Sequence, residues 1–308
     1  MNPQPIAIAY GSKPLRVLAT ADAEGHVYYD PDQPRVPAGA TDGGQWTGTG
    51  VGQHFSDAPL GKKGAAVWRK KMQKLYDTDA EFRAATDASM LFTQGEYNVV
   101  RALGVQEITG KLPDRYKDSS LTKWGPDEVK MSGNPLSGYK KYFEGQPFIE
   151  SGSDESRASW RDGVRALNDA VRTGPLLDVT LYRGVYGRKN MEALLGMKPG
   201  QTFDLVGPTS FTAERNIALQ FAMGTNRGQR GGGLARGVKS AVIEVLPGAR
   251  GIPVAALSPW NQSEVISGGR FRIKEIRAEI VSQQRGGWTI ESPSPHIVVE
   301  QVSTFRNR

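Results

Sequence analysis

The sequence predicts a domain of the α+β class, with helices in its first half and strands in its second. Residues 60–105 have helical character, and apolar residues from Trp160 to Val171 recur at intervals of four, three and four. Thr173-Gly174-Pro175 ends this second helical pattern. Strands are then predicted at Asp178–Arg183, Ala241–Leu246, Ile252–Ala255, Phe271–Ile276 and Ile297–Val302.

Arg183 is a candidate binding residue because it ends a strand on that strand's apolar face. Leu177, Val179 and Leu181 alternate with polar residues, and Arg183 continues the apolar series. A guanidinium in this position needs a partner, and its planar fork suits a diphosphate. Gly184 would let a ligand approach the backbone closely. The alternative is a structural ion pair at the end of the strand.

The segment Thr209–Thr212 places two hydroxyls on one side of a strand. Ser210 and Thr212 flank Phe211, so both hydroxyls point one way and the ring points the other. Apolar residues at helical spacing follow over Ala213–Ala222, and Thr212 is a suitable N-cap for that helix. A capped helix after a strand explains the same pattern without any catalytic role.

The third candidate segment runs from Trp260 to Ile266. Gln262 and Glu264 are separated by one residue, so an extended backbone would point both side chains into the same space. A carboxylate and an amide in one cleft suit the cleavage of a bond through a cationic transition state. An exposed polar loop is the alternative for this segment taken alone.

Together, these segments resemble the Arg–Ser–Glu family of mono-ADP-ribosyltransferases. The family's motifs are an aromatic-Arg pair, a Ser-x-Ser/Thr and a Glu/Gln-x-Glu, and they match Tyr182-Arg183, Ser210–Thr212 and Gln262–Glu264 in that order. Two further stretches agree: Phe92–Arg101, which departs from the family pattern at Val100-Arg101, and Glu264–Ile273, expected as strand, turn and strand.

The resemblance covers residues 75–303 and implies both a fold and a reaction. The implied fold is a split two-sheet core with flanking helices. The implied substrate is NAD, without a metal, and its nicotinamide–ribose bond would be cleaved. Arg183 would anchor the diphosphate, Ser210 would orient Glu264, and Glu264 would stabilise the cationic ribose. Further cofactor contacts are expected from Gly184, Phe221 and a basic loop containing Arg227, Arg230 and Arg236, among which the sequence does not choose.

The residue type at position 262 indicates which chemical group accepts the ADP-ribose. Family members that modify arginine usually have Glu here, whereas Gln-x-Glu members modify asparagine, glutamine or threonine side chains, or guanine bases. Trp260 would contact a protein surface or stack on a base. Host proteins and nucleic acid therefore both stay open as partners. The alternatives to a transferase are an NAD glycohydrolase and a catalytically silent structural protein of a phage.

Composition excludes several other classes of function. The chain of 308 residues has no cysteine, which rules out disulfides and thiolate metal sites. His26, His54 and His296 are too far apart for local zinc spacing. No apolar run approaches the roughly 20 residues of a membrane span. The net charge of +7 favours acidic partners, and the basic run from Lys62 to Lys74 is expected on a solvated helix face.

Residues 1–60 are expected to form an irregular N-terminal region. Their Pro34–Thr47 stretch resembles a short element of phage head-associated proteins and of linkers before toxin domains, and an ordinary flexible linker fits equally well. This predicts a capsid-associated protein that acts in the host cytoplasm after delivery in a virion, in preference to a secreted toxin. A chain that begins near Gly61 is expected to fold by itself.

Overall fold

A computed structural model describes residues 50–94, 97–111, 113, 160–186, 193–223, 240–278, 280–285, 288–293 and 295–305. The predicted helical segments form four helices: α1 (Ala65–Thr78), α2 (Ala80–Gln94), α3 (Tyr97–Thr109) and α4 (Trp160–Thr173). The buried face of α4 includes Val164, Leu167 and Val171, as their spacing predicts. These side chains belong to the same apolar core as those of α1, α2 and α3.

A 3-10 helix at Val51–Phe55 belongs to this core, so the expected boundary at residue 60 falls inside packed structure. Phe55 is fully buried, with its ring centroid 5.4 Å from that of Phe82 and 5.8 Å from that of Trp68. The Gly52 amide donates to the Thr173 hydroxyl at 3.0 Å. Two apolar side chains four residues apart are too short a pattern to stand out among the polar residues around them.

The strands form one mixed sheet and a separate hairpin. They are β1 (Leu176–Leu177), β2 (Leu181–Tyr186), β3 (Thr202–Thr212), β4 (Ser240–Val245), β5 (Ala249–Pro253), β6 (Glu264–Arg277), β7 (Ile280–Arg285), β8 (Trp288–Pro293) and β9 (His296–Ser303). The sheet order is β1-β5-β6-β3-β2-β4-β9, and β7 pairs with β8. All pairs are antiparallel except β4 with β9. The α+β class is confirmed.

The long strand β6 changes its partner along its length. On one side it pairs with β3 from Glu264 to Arg272. On the other side it pairs with β5 over Val265–Ser267 and then with β9 over Arg270–Arg277. The turn expected within Glu264–Ile273 is therefore wrong, because the strand continues through this stretch, Gly268-Gly269 included. Gly269 has a φ of 126°, and a Cβ there would lie 2.1 Å from the Ser303 carbonyl oxygen. The glycine permits this close approach and an irregular backbone within one strand.

Two further expectations, one about a strand and one about a helix, need correction. The strand predicted to start at Asp178 starts at Leu181, and Leu176–Leu177 forms the separate β1, paired with β5. A helix, α5 (Arg215–Ala222), follows β3 two residues later than predicted. The expected strands in the second half are found with ends shifted by one to three residues, or, for Phe271–Ile276, as part of the longer β6.

Several sequence features lie outside the described residues. These are the Pro34–Thr47 element and the basic loop with Arg227, Arg230 and Arg236. None of the helices in the described part of the chain combines the length and the apolar character that crossing a membrane requires.

Candidate active site

The sheet brings together three residues that are far apart in the sequence. Arg183 lies on β2, Ser210 on the adjacent β3, and Glu264 is the first residue of β6 on the other side of β3. The register sets Thr212 opposite Tyr182 on one side and opposite Glu264 on the other. The three predicted motifs therefore meet at one end of adjacent strands.

Hydrogen bonds connect the three side chains through Ser210. The Ser210 hydroxyl donates to Glu264 Oε1 at 2.7 Å. The Arg183 guanidinium donates to the Ser210 carbonyl oxygen at 2.6 Å. Ser210 is thus placed where it can fix the orientation of the carboxylate, and the guanidinium is held on the neighbouring strand.

The Glu264 carboxyl group is buried, with 7% of the residue exposed. Burial raises its pKa to about 7, since desolvation disfavours the charged form. Hydrogen bonds from Ser210 and Ser258, and the positive charges of Lys62 and Arg183, oppose this rise. At neutral pH the group is therefore balanced between its protonated and ionised forms.

Phe211 and Thr212 have structural roles beside Ser210. Phe211 points into the core, with its ring centroid 6.1 Å from that of Phe271, while Ser210 lies on the other side of the strand. Thr212 is not the N-cap of α5, since that position belongs to Glu214. Its hydroxyl instead donates to the Gln262 carbonyl oxygen at 2.5 Å and accepts from the Glu214 amide at 3.0 Å.

The backbone from Gln262 to Glu264 is not extended, contrary to the expectation from sequence. Ser263 has a φ of 43°, in the left-handed region. Its hydroxyl donates to Glu214 Oε1 at 2.5 Å, and its carbonyl oxygen accepts from the Ala213 amide at 3.1 Å. The alternation of a strand therefore does not align the Gln262 and Glu264 side chains, and the tight turn fixes the Gln262 backbone instead.

Trp260 is anchored at one edge and exposed elsewhere. Its indole nitrogen donates to the Thr93 carbonyl oxygen at 3.1 Å, and its amide donates to the Ser258 hydroxyl at 3.2 Å. The residue is 45% exposed. Its predicted role in acceptor recognition stays a prediction, and the exposed ring is compatible with that role.

The structure explains the glycine at position 184 by helix packing, whereas the sequence predicted close approach of a ligand. A Cβ there would lie 2.0 Å from the Ala218 carbonyl oxygen, so the missing side chain lets α5 pack against β2. Phe221 lies on the same helix and is 36% exposed. Contacts of Gly184 and Phe221 with a cofactor stay predictions. No group of three or more metal-ligating side chains is found among the described residues.

Two residues near Glu264 are not found by sequence reasoning. The Ser258 hydroxyl and the Lys62 charge both lower the pKa of the Glu264 carboxyl group. Lys62 is not on a solvated helix face, because it precedes α1 and its ammonium donates to the Ala255 carbonyl oxygen at 2.9 Å. Arg69, from the same basic run, is also buried. In the sequence, Gly61 and Gly64 on either side indicate that Lys62 lies in a turn and not in a helix.

Comparison with known proteins found similarity only among solved structures: no protein-family model and no curated sequence matches. Vis toxin from Vibrio splendidus is 15% identical, with 80% of this chain and 85% of that chain covered, at a TM-score of 0.42. Plx2a from Paenibacillus larvae is 16% identical, with coverages of 79% and 96% and a TM-score of 0.37. Both are ADP-ribosyltransferase toxins.

A third similar structure contains an analogue of NAD. Exoenzyme S from Pseudomonas aeruginosa, in complex with human 14-3-3 protein beta and bound to carba-NAD, is 13% identical. The match covers 83% of this chain and 88% of that chain, at a TM-score of 0.38. Because all three TM-scores are below 0.5, the function proposed below rests on the site residues.

Proposed function

We propose that this protein is a mono-ADP-ribosyltransferase that cleaves NAD and transfers ADP-ribose to an acceptor other than arginine. The observation that carries the proposal is the hydrogen bond between Ser210 and the buried Glu264 carboxylate, with Arg183 held on the adjacent strand. The three residues match the motifs of the Arg–Ser–Glu family in both type and order. Independent contacts bring them together in space.

The reaction requires a negative charge beside a sugar that becomes cationic. The bond between the ribose C1′ and the nicotinamide nitrogen breaks, and its electron pair leaves with nicotinamide. The ribose passes through an oxocarbenium-like state, which a carboxylate hydrogen-bonded to the sugar 2-hydroxyl stabilises as charge develops. The acceptor then forms a bond to C1′ and loses a proton. The hydrogen bond from Ser210, which orients the Glu264 carboxylate, supports Glu264 in this role.

Arg183 suits the diphosphate of NAD because its planar guanidinium lies on the strand next to Ser210. Binding energy from this remote group would hold the ribose in its reactive pose. We predict that Arg183→Lys markedly weakens NAD binding, since a point charge does not reproduce a bidentate grip. Calorimetric titration of NAD tests this.

The matched control for that titration is Arg270→Lys, which changes an exposed arginine on β6 that is paired with Asp204. The control should bind NAD like the wild type. If Arg183→Lys also binds like the wild type with an intact fold, Arg183 is structural.

The acceptor is proposed to be an asparagine, glutamine or threonine side chain, or a guanine base, of a host molecule in the host cytoplasm. Gln262 supports this because an amide donates and accepts hydrogen bonds but does not act as a base. Trp260, with its exposed ring two residues earlier, supports a contact with the same acceptor. Protein and nucleic acid both fit these two side chains.

We predict that Gln262→Ala retains slow NAD hydrolysis while transfer to the acceptor collapses. The reason is that the substitution removes acceptor positioning and leaves the Arg183, Ser210 and Glu264 contacts in place. Nicotinamide release and label transfer, measured in parallel, give the two rates. The control is Asn261→Ala, which removes an exposed amide from the same turn. A parallel fall of both rates would place Gln262 in the NAD site.

The decisive experiment incubates the full chain with labelled NAD and with host lysate. Nicotinamide release together with a labelled macromolecule supports the transferase, and parallel protease and nuclease treatments identify the class of acceptor. Nicotinamide release without labelling indicates an NAD glycohydrolase. If neither is observed, the site is silent, as expected of a phage structural protein.

A further inference from the structure

Lys62 reaches into the site from outside the three motifs. It lies in the turn before α1, and its ammonium group donates to the carbonyl oxygens of Ala255 at 2.9 Å and of Ser258. An ammonium group that is half-buried and bonded to two carbonyls of one segment holds that segment in place. Lys62 is therefore a contact between the N-terminal part of the domain and the chain that leads to Glu264.

The segment Val254–Ser258 is a buried turn, and all five of its residues are at most 1% exposed. The amides of Leu257 and Ser258 both donate to the Val254 carbonyl oxygen, at 2.8 and 2.9 Å. Arg69 donates to the Ala256 carbonyl oxygen at 2.6 Å. At the other end, the Val254 amide donates to the Glu264 carbonyl oxygen at 2.9 Å. The turn thus connects the two basic residues to the backbone of Glu264.

Ser258 is the residue of this turn that acts on the Glu264 carboxyl group. Its hydroxyl accepts from the Trp260 amide at 3.2 Å, and its influence on the Glu264 carboxyl group lowers the pKa of that group. A hydroxyl has one proton, so with the amide of Trp260 as donor its own proton is available to the carboxylate. Ser210 donates to the carboxylate at 2.7 Å, and Ser258 favours its ionised form in the same direction.

We propose that Lys62 and Ser258 are positioning residues for Glu264: Lys62 fixes the Val254–Ser258 turn and supplies positive charge, and Ser258 donates to the carboxylate. This inference rests on the proposed NAD-cleaving function. Neither residue belongs to the Arg, Ser or Glu motif, and their role follows from contacts of the start of the domain with the Val254–Ser258 turn, which is itself bonded to the backbone of Glu264.

The charges at the site agree with this role. Burial, followed by the neighbouring charge of Arg69, lowers the pKa of Lys62 to about 8, while Glu264 acts in the opposite direction. Lys62 and Arg183 both favour the ionised form of Glu264. Between about pH 7 and pH 8, at least about half of each of Lys62 and Glu264 is charged, and each stabilises the charged form of the other.

The test compares Lys62→Met, Lys62→Arg and Ser258→Ala in the full chain. The pH at which Glu264 ionises is measured by infrared difference titration. Each variant is compared with the same variant that also carries Glu264→Gln, so the difference isolates the signal of the Glu264 carboxyl group. For Lys62→Met we expect this midpoint to rise by about 1 pH unit, because an opposite charge is lost. At about pH 7 the kcat for nicotinamide release should then fall about five-fold, with little change in the KM for NAD, and recover near pH 9.

Lys62→Arg keeps the charge, so its midpoint should lie close to that of the wild type. Ser258→Ala should have a higher midpoint than the wild type through the loss of a donor. The control is Lys63→Met, which removes an exposed neighbouring lysine and should leave the midpoint unchanged. A midpoint in Lys62→Met equal to that of the control overturns the inference. A loss of nicotinamide release in Lys62→Met that is the same at all pH values also overturns it, because that result would show that Lys62 only supports the fold.

If Lys62→Met fails to fold, Lys62→Arg and Ser258→Ala still decide the question through their midpoints. Failure of the proposed function is a separate result. In that case the wild type releases no nicotinamide, while the infrared midpoints still shift as expected.

Discussion

Glu264→Gln is expected to lose nearly all nicotinamide release while the fold stays intact. A neutral amide accepts the Ser210 hydrogen bond but does not stabilise a cationic ribose. Loss of a contact to developing charge costs on the order of 2.7–4 kcal/mol in the activation barrier, or at least about 100-fold in rate. Single-turnover nicotinamide release at saturating NAD measures this loss.

The same substitution should stabilise the folded protein at alkaline pH. The Glu264 pKa is about 7 in the folded state, against a reference value of 4.5, so the wild type loses stability as the pH rises from about 4.5 to 7. Gln has no charge to desolvate. The free energy of unfolding of Glu264→Gln should therefore exceed that of the wild type by about 3 kcal/mol near pH 8.5, and the difference should vanish below about pH 4.5.

Glu275→Gln is the matched control for both measurements. Glu275 lies on the same strand but is exposed, and its hydrogen bond with Arg277 lowers its pKa. The control should retain wild-type nicotinamide release and should not be stabilised at alkaline pH. Release by Glu264→Gln within a few-fold of the wild type would remove Glu264 from the reaction.

Removal of residues 1–60 is expected to destabilise the protein strongly, whereas removal of residues 1–48 should not. The compact unit that contains the described residues begins at Thr49. A chain that begins at Gly61 lacks the buried side chains of Val51, Phe55 and Ala58. Truncation of a buried phenylalanine alone costs about 3–5 kcal/mol. This corresponds to a fall in Tm of roughly 6–20 °C for a domain of this size.

Thermal melting and nicotinamide release on the full chain and on the two shortened chains measure this effect. Phe55→Ala in the full chain isolates the largest lost contact, and Ser56→Ala changes an exposed neighbour as its control. A chain that begins at Gly61 and melts like the full chain would show that the 3-10 helix is dispensable. The association with a phage capsid that the Pro34–Thr47 stretch predicts is independent of this result.

The sequence by itself determined the α+β class and predicted Arg183, Ser210 and Glu264 as the residues of the site. The helical spacing in α4 and the alternation before Arg183 are local patterns that hydrophobic burial imposes. They can therefore be recognised in the sequence alone. The three motifs were readable because each residue type has a chemical role that few others fill. The family resemblance predicted that they form one site, and the strand register shows that they lie on adjacent strands.

Only the tertiary structure decided which further groups surround Glu264 and where the domain begins. Lys62 is 196 positions before the Ser258 that it contacts, and nothing local distinguishes it from the exposed Lys63. The left-handed Ser263 is stabilised by a hydrogen bond to Glu214, on a different part of the chain. Contacts between distant segments depend on how strands and helices pack, and a pattern of neighbouring residues does not contain that information.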